Sequence, residues 1–393
     1  MKKHILLFSL VATMLASCSK DNDEPINTGN SSGGTEEPSK PNTQPGISVN
    51  GSVYQPNVGG PNQPNQVFID LSTGEQTAVK RDTWDFAFYC GKGKNNGKEE
   101  FRVLLNSTIG MAAKELPTNN ITLLQNEDND VAPGPSTYID QGYVDSPYGN
   151  FLGSKTGTAI KPVSVNDAEN KVHLVNMGKS VGLETPELGS TNLDSGIHRG
   201  WKKIRVTINK DGDYVFQYAG LKESTYKEMI IKKDTNYNFV YINIEEGKEV
   251  KVQPEKAKWD ISYTALVTYR SGGGLSIYTY FSSDIVIHNG YGVKVKRVTS
   301  QYGNIDNLYK NFTKISVGDV DNYFKINAGA RSNYLMEIGK SWRKSALEGG
   351  GLQNNIFYVI KDVDGNLYKL KFLSMTNEKG ERGYPTFEYE LLK

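Results

Sequence analysis

The chain has 393 residues, with 45 Lys+Arg against 44 Asp+Glu and a formal charge of +1. So even a balance gives no electrostatic case for nucleic acid or for an acidic partner. With 40 Gly, 23 Tyr and only four His, the composition points to a sheet-rich, turn-rich protein, and no stretch after residue 20 is apolar enough to cross a bilayer as a helix.

The N-terminus reads as a targeting segment, separate from the fold. Lys2-Lys3 supply a positive start, Ile5 to Leu15 a short apolar core, and Leu15-Ala16-Ser17-Cys18 the spacing of a bacterial lipobox. Residues 1–17 are therefore expected to be a lipoprotein signal peptide, cleaved before Cys18, whose new terminus is acylated. Residues 18–46 hold Asn, Ser, Gly, Pro and Glu with almost no apolar residue. Such a composition cannot bury a core and is expected to be a flexible tether. Its first part, Ser19-Lys20-Asp21-Asn22-Asp23-Glu24, suits a surface-export signal and suits a solvated linker equally well. The expected location is the outer membrane, exposed at the cell surface, with the lipid as the sole membrane contact. With Cys18 acylated, Cys90 is the one remaining thiol, so no intramolecular disulfide can form. Cys90 ends an apolar alternation and is expected to be buried and inert.

Beyond the tether one pattern is written twice. Val67-Phe68-Ile69-Asp70-Leu71-Ser72-Thr73-Gly74-Glu75 runs on to Trp84-Asp85-Phe86-Ala87-Phe88, and Val240-Tyr241-Ile242-Asn243-Ile244-Glu245-Glu246-Gly247-Lys248 runs on to Trp259-Asp260-Ile261-Ser262-Tyr263. Each predicts a strand, a turn with Gly at its eighth place, a second strand, and Trp-Asp opening a third. First residue to Trp is 17 positions in one copy and 19 in the other. Four further anchors keep the same order. Val103–Asn106 pairs with Ile285–His288, so that His288 aligns with Asn106. Leu174–Ser180 pairs with Leu335–Ser341, Val206-Thr207 with Val359-Ile360, and Tyr214–Tyr218 with Tyr368–Phe372. Asp211-Gly212 and Asp364-Gly365 lie between strand-like runs and predict hairpin turns. Gly272–Gly274 and Gly349–Gly351 read as turns as well. Helical periodicity is weak and confined to Glu223–Lys232 and Ile305–Phe312. The fold class expected is all-β: two tandem domains over 47–222 and 223–393, each long enough for its own core.

The Gly-Glu turn, Trp-Asp, the closing Asp-Gly hairpin and the lipoprotein leader together resemble the HmuY family of haem-binding lipoproteins. The second half carries the clearer likeness, in Trp259–Tyr263, Phe281-Ser282-Ser283-Asp284-Ile285-Val286, Phe357–Ile360 and Gly365–Leu370. The resemblance implies two HmuY-like β domains and a surface haemophore that captures haem and passes it to an outer-membrane transporter. In such proteins two axial side chains, His or Met, hold the iron from opposite faces of an apolar slot.

In the second half the corresponding window, Thr299–Asn355, has no His and Met336 as its only Met. Met336 lies in an apolar run that suits core packing; Tyr302, Tyr309, Tyr323 and Tyr334 are the phenolate candidates, and equally packing residues. The first half offers His173, Met177 and His198. The resemblance makes these the haem-binding residues, with His173 and His198, or Met177 and His198, as the iron-ligating pair. Read as plain strand positions, His173 is a surface residue and Met177 a core residue. Arg199, Lys202 and Lys203 are candidates for pairing with the propionates.

Other chemistries lack their motifs. Gly-Lys-Ser occurs at 178–180 and 339–341, but His173 and Tyr334 stand where a phosphate loop needs Gly. Gly91, Gly93 and Gly97 miss the dinucleotide spacing, and there is no Gly-x-Ser-x-Gly, His-Glu-x-x-His or zinc-binding Cys pair. The chain is expected to bind rather than to catalyse. The alternatives to haem are another ligand such as a glycan, recognised on exposed aromatics, or a structural role at the surface.

Overall fold

Strands take 39% of the chain and helices 7%, as the short apolar alternations predict. The computed structural model describes residues 50–92, 99–126, 142–146, 157–271, 277–301, 303–325, 335–344 and 349–392. The signal peptide, Cys18, the tether, Gly93, Gly97, Gly272–Gly274, Tyr302 and Tyr334 lie outside the described residues.

Four antiparallel sheets hold the described strands. The first contains β2 (Asn65–Ile69), β3 (Gln76–Lys80), β13 (Ile261–Ser271) and β14 (Ile277–His288), ordered β14-β13-β2-β3. The second contains β4 (Phe86–Tyr89), β5 (Val103–Leu105), β11 (Phe239–Asn243) and β12 (Lys248–Val250), ordered β12-β11-β4-β5. The third runs β10-β9-β8-β7-β6, from β6 (Ala112–Glu115), β7 (His173–Asn176), β8 (Trp201–Ile208), β9 (Tyr214–Gly220) and β10 (Lys227–Ile231). The fourth runs β1-β18-β17-β16-β15, from β1 (Asn50–Tyr54), β15 (Lys294–Thr299), β16 (Ile356–Lys361), β17 (Leu367–Thr376) and β18 (Arg382–Leu391).

The two repeats exchange their opening hairpins. β2–β3 of the first repeat pairs with β13 of the second, placing Ile69 opposite Ile261 and Val67 opposite Tyr263. β11–β12 of the second repeat pairs with β4 of the first, placing Ile242 opposite Phe86 and Tyr241 opposite Ala87. The cores follow the exchange. One gathers Val67, Ile69 and Leu71 with Ile261, Tyr263, Trp342 and Phe387. The other gathers Phe86, Phe88, Val175 and Phe216 with Ile242 and Ile244. An inner module is thus continuous in sequence from Trp84 to Val252, and an outer module joins the segment before it to the segment after it. The boundary at 222/223 divides sequence copies; the sheets divide the chain differently. Duplication supplies two equivalent seats for two equivalent hairpins. The short connector from Arg81 to Asp85 favours delivery into the far seat over folding back. That connector is pinned by the buried Arg81, whose Nε donates to Gln63 O at 2.6 Å and whose Nη1 donates to Thr108 O.

Trp-Asp is the device that docks each exchanged hairpin. Asp85 N donates to Ile242 O, and its carboxylate accepts from Ile244 N at 2.8 Å. Asp260 N donates to Ile69 O, and its carboxylate accepts from Leu71 N at 2.8 Å. The indoles meet the same hairpins edge-on: Trp84 lies 4.9 Å from Tyr241 and Trp259 lies 5.1 Å from Phe68. These four aromatic residues belong to one cluster, with Ala87 and Val252, where the two hairpin sheets adjoin.

Three expectations need correction. Asn289, not His288, is the counterpart of Asn106. Asn106 Nδ2 donates to Arg81 O and Trp84 O, and Asn289 Nδ2 donates to Lys256 O and Trp259 O. His288 faces Ile261 as Leu105 faces Phe86, and a one-residue slip of this kind reverses which face a side chain occupies. Residues 223–232, expected to be helical, contain β10, because the free edge of β9 accepts Lys227–Ile231 and Ile231 alternates into the core. Residues 335–341, aligned with β7, form turns joined to β14 by the Val286–Gly339 bridge and by His288 N donating to Leu335 O, without forming a strand, so β15 pairs directly with β16. The helix expected at 305–312 is present as α1 (Asp306–Asn311). With α2 (Lys314–Val317) and α3 (Val320–Phe324) it covers Phe357 and Val359 through Tyr309, Phe312 and Val317. Both Asp-Gly hairpins form, with Gly212 at φ 81° and Gly365 at φ 91°, which a residue with a Cβ adopts only with strain.

Candidate functional site

β7 positions the first-half candidates. It is a central strand between β6 and β8, buried at all four positions. Alternation sends Val175 and then Met177 into the inner core, and Leu174 to the opposite face. His173 shares the Val175 face. Its Nδ1 lies 3.1 Å from Lys171 O and its Nε2 is buried without a partner. Burial pushes its pKa down from 6.5 to about 4, partly offset by the Glu115 carboxylate, so the ring is neutral at pH 7.

His198 belongs to the other face. Its ring is exposed, with Nε2 2.9 Å from Asn176 Oδ1 and Nδ1 accepting from Gly200 N at 3.1 Å. Both nitrogens are therefore engaged, and the ring sits 6.0 Å from Trp201. Met177 is 2% exposed among Phe86, Phe88 and Met111. The structure thus brings His198 to Asn176 and Trp201, not to His173 or Met177. The basic neighbours have structural tasks. Arg199 pairs with the buried Asp85 at 2.6 Å. Lys203 is fully buried and donates to Leu123 O and Glu223 O, both at 2.8 Å. Lys202 is half-buried on β8.

Among the described residues the candidates do not fit haem held by a protein axial pair. Such a pair needs two unengaged donors facing one another across a slot. His173 offers one nitrogen toward a packed core, and His198 has none free on that side. The second half supplies Met336, half-buried in the turns of 335–341, and no His within its window. Burial raises the Tyr309 phenol far above its usual range and the Tyr323 phenol to about 12, which opposes phenolate ligation. Among the described residues no group of three or more His, Cys, Asp or Glu is placed to hold a metal ion. Cys90 is buried, and burial raises its thiol, matching the inert thiol expected.

An open depression of about 570 Å³ lies where β8 begins and β9 ends, lined by Trp201, Leu221, Gly220, Asn126, Lys222 and Glu223. Trp201 is half-buried, packed toward Leu174 and Val267. Lys222 Nζ donates to Asn126 Oδ1, and Glu223 Oε2 accepts from Gly220 N at 2.8 Å. Trp201 opens the eight-residue strand β8, and that place is the sequence signal that marks it.

The fold defines an all-β protein built from a duplicated sheet scaffold with exchanged hairpins. The chain belongs to the HmuY family: the profile of the HmuY protein matches residues 62–222 and again residues 235–389, together well over half of the chain. The two matches agree with the tandem duplication. No curated protein and no solved structure matches the chain. The family is associated with haem binding and with the cell surface, and no described helix is long and apolar enough to cross a membrane.

Proposed function

We propose that this chain is a binding protein of the cell surface, anchored through acylated Cys18, that uses the HmuY scaffold without ligating haem iron through paired protein donors. It works by binding, not by catalysis. The observation that carries this reading is His198, held by Asn176 and Gly200 on the face of β7 away from His173 and Met177. Haem capture for a transporter, the activity that membership suggests, is the reading this one opposes. Titrating the purified mature protein with haemin separates them. The expected result is no saturable Soret shift in either oxidation state; a sharp shift lost in the His173→Ala/His198→Ala variant restores haem.

A second reading concerns the ligand. Trp201 on an open depression with Asn126, Lys222 and Glu223 at its rim supports stacking of a sugar ring. If so, Trp201→Ala weakens binding to immobilised glycans at least about tenfold, the scale of a central aromatic contact. Unchanged retention removes that assignment.

A further inference from the structure

The outer module carries a buried charge cluster on a strand irregularity. β13 and β14 run in register to Thr264 opposite Ile285 and resume at Leu266 opposite Ser282, so Ser283 and Asp284 together face Ala265. Asp284 is fully buried and has φ 57°. Gln63, at φ 44°, is the one other non-glycine residue of positive φ among the described residues. The two are bonded to each other: Gln63 Nε2 donates to Asp284 Oδ1 at 2.6 Å, and Asp284 N donates to Gln63 Oε1 at 3.2 Å. Tyr263 OH donates to Asp284 Oδ1 at 2.6 Å. Two paired left-handed residues persist only where their surroundings hold them, and such places cluster at ligand clamps.

Two guanidinium groups converge on this single carboxylate. Arg382 of β18 donates to Asp284 Oδ2, and Arg343 Nε lies 3.6 Å from that oxygen while its Nη2 donates to Ser283 O at 2.9 Å. Both arginine side chains are 15% exposed. Among the described residues neither has a second carboxylate within ion-pair distance, so within that set two cations share one carboxylate. The Nε–H of each arginine is buried and has no hydrogen-bond acceptor among the described residues, a state that calls for a further partner. Tyr280, 43% exposed, stands close enough to interact with both cations.

We propose that Arg343 and Arg382 form a binding site for a carboxylate group of an extracellular ligand, with Tyr280 as its exposed wall. The charge count selects the class. One monoanion neutralises the cluster, whereas a phosphate monoester carries close to two charges at neutral pH and meets the Asp284 carboxylate. A flat carboxylate also matches the planar fork of a guanidinium. The site uses no residue of the β7 region, so it stands whether or not haem binds.

The test is an NMR titration of the nitrogen-15-labelled mature protein, following the arginine Nε–H signals. Arg343→Gln and Arg382→Gln assign the two signals by their loss. Sodium acetate, sodium glucuronate and inorganic phosphate are each compared with sodium chloride at constant ionic strength. The expected result is a saturable shift of both signals with acetate and glucuronate, and weaker binding of phosphate. Arg343→Gln, which leaves Asp284 and Arg382 as a neutral pair, weakens acetate at least tenfold at the remaining signal. Absence of a saturable shift in the unmodified protein, or tighter binding of phosphate than of acetate, overturns the proposal; the first result needs no variant to fold.

Discussion

His173 is a neutral imidazole in a strand interior, and that state has a consequence for stability. Its folded pKa, about 4, lies below its ordinary 6.5. Between those values the unfolded chain binds a proton that the folded one refuses, so this contribution is complete above pH 6.5 and is lost as pH falls toward 4. Going from pH 7.5 to 4.5 should remove about 2–3 kcal/mol through this residue. Denaturant unfolding of the wild type and His173→Gln checks it: the stability gap between the two should shift by that amount in favour of the variant at pH 4.5. A gap that does not move with pH would mean the ring is solvated. The same residue shows how far residue types alone can reach. A lone His or Met is legible as a candidate, but whether its donor atom is engaged depends on neighbours that become partners only after folding, as Asn176 and Gly200 do for His198. The Asp284 cluster was less visible still. Phe281-Ser282-Ser283-Asp284 stood out as framework, and nothing in that tetrapeptide announces arginines from positions 343 and 382.

At the scale of elements, the two Trp-Asp corners perform one job with different surroundings. Asp260 caps the β2–β3 hairpin through Leu71 N without a salt bridge, whereas Asp85 caps β11–β12 and also neutralises Arg199. Asp260→Ala should therefore cost about 1–3 kcal/mol, the loss of a buried hydrogen bond. Asp85→Ala should cost more, about 3–5 kcal/mol, because it leaves the largely buried Arg199 guanidinium with only the exposed Glu245, 3.9 Å away, as an ion partner among the described residues. Chemical denaturation gives both values, and equal or inverted losses would contradict the assignment. The Gly turns and the Asp-Gly hairpins were legible because each depends on residues close in sequence; Trp-Asp was legible as a repeated pair, although the hairpins it caps lie 159 and 189 residues away. β10 was not, since a ten-residue stretch with weak periodicity takes its state from the free edge of β9. The β7 counterpart at 335–341 was misread for a similar reason. Its apolar run matches a strand, yet β15 already occupies the edge of β16.

For the whole molecule, the duplication was written plainly in the sequence, while the exchange was not. Both hairpin seats carry the same Trp-Asp corner, so local pattern cannot say which hairpin enters which seat. The choice rests on the connector from Arg81 to Asp85 and on long-range pairing. Its outcome is that two family repeats form one interlocked body instead of two separable domains. The most direct measurement compares two fragments by sedimentation and circular dichroism: residues 84–253, the inner module, and residues 47–222, the first sequence repeat. The exchanged arrangement predicts a folded monomer for 84–253, and for 47–222 either an unfolded chain or a dimer that swaps hairpins between copies. A stable folded monomer of 47–222 together with an unfolded 84–253 would contradict it.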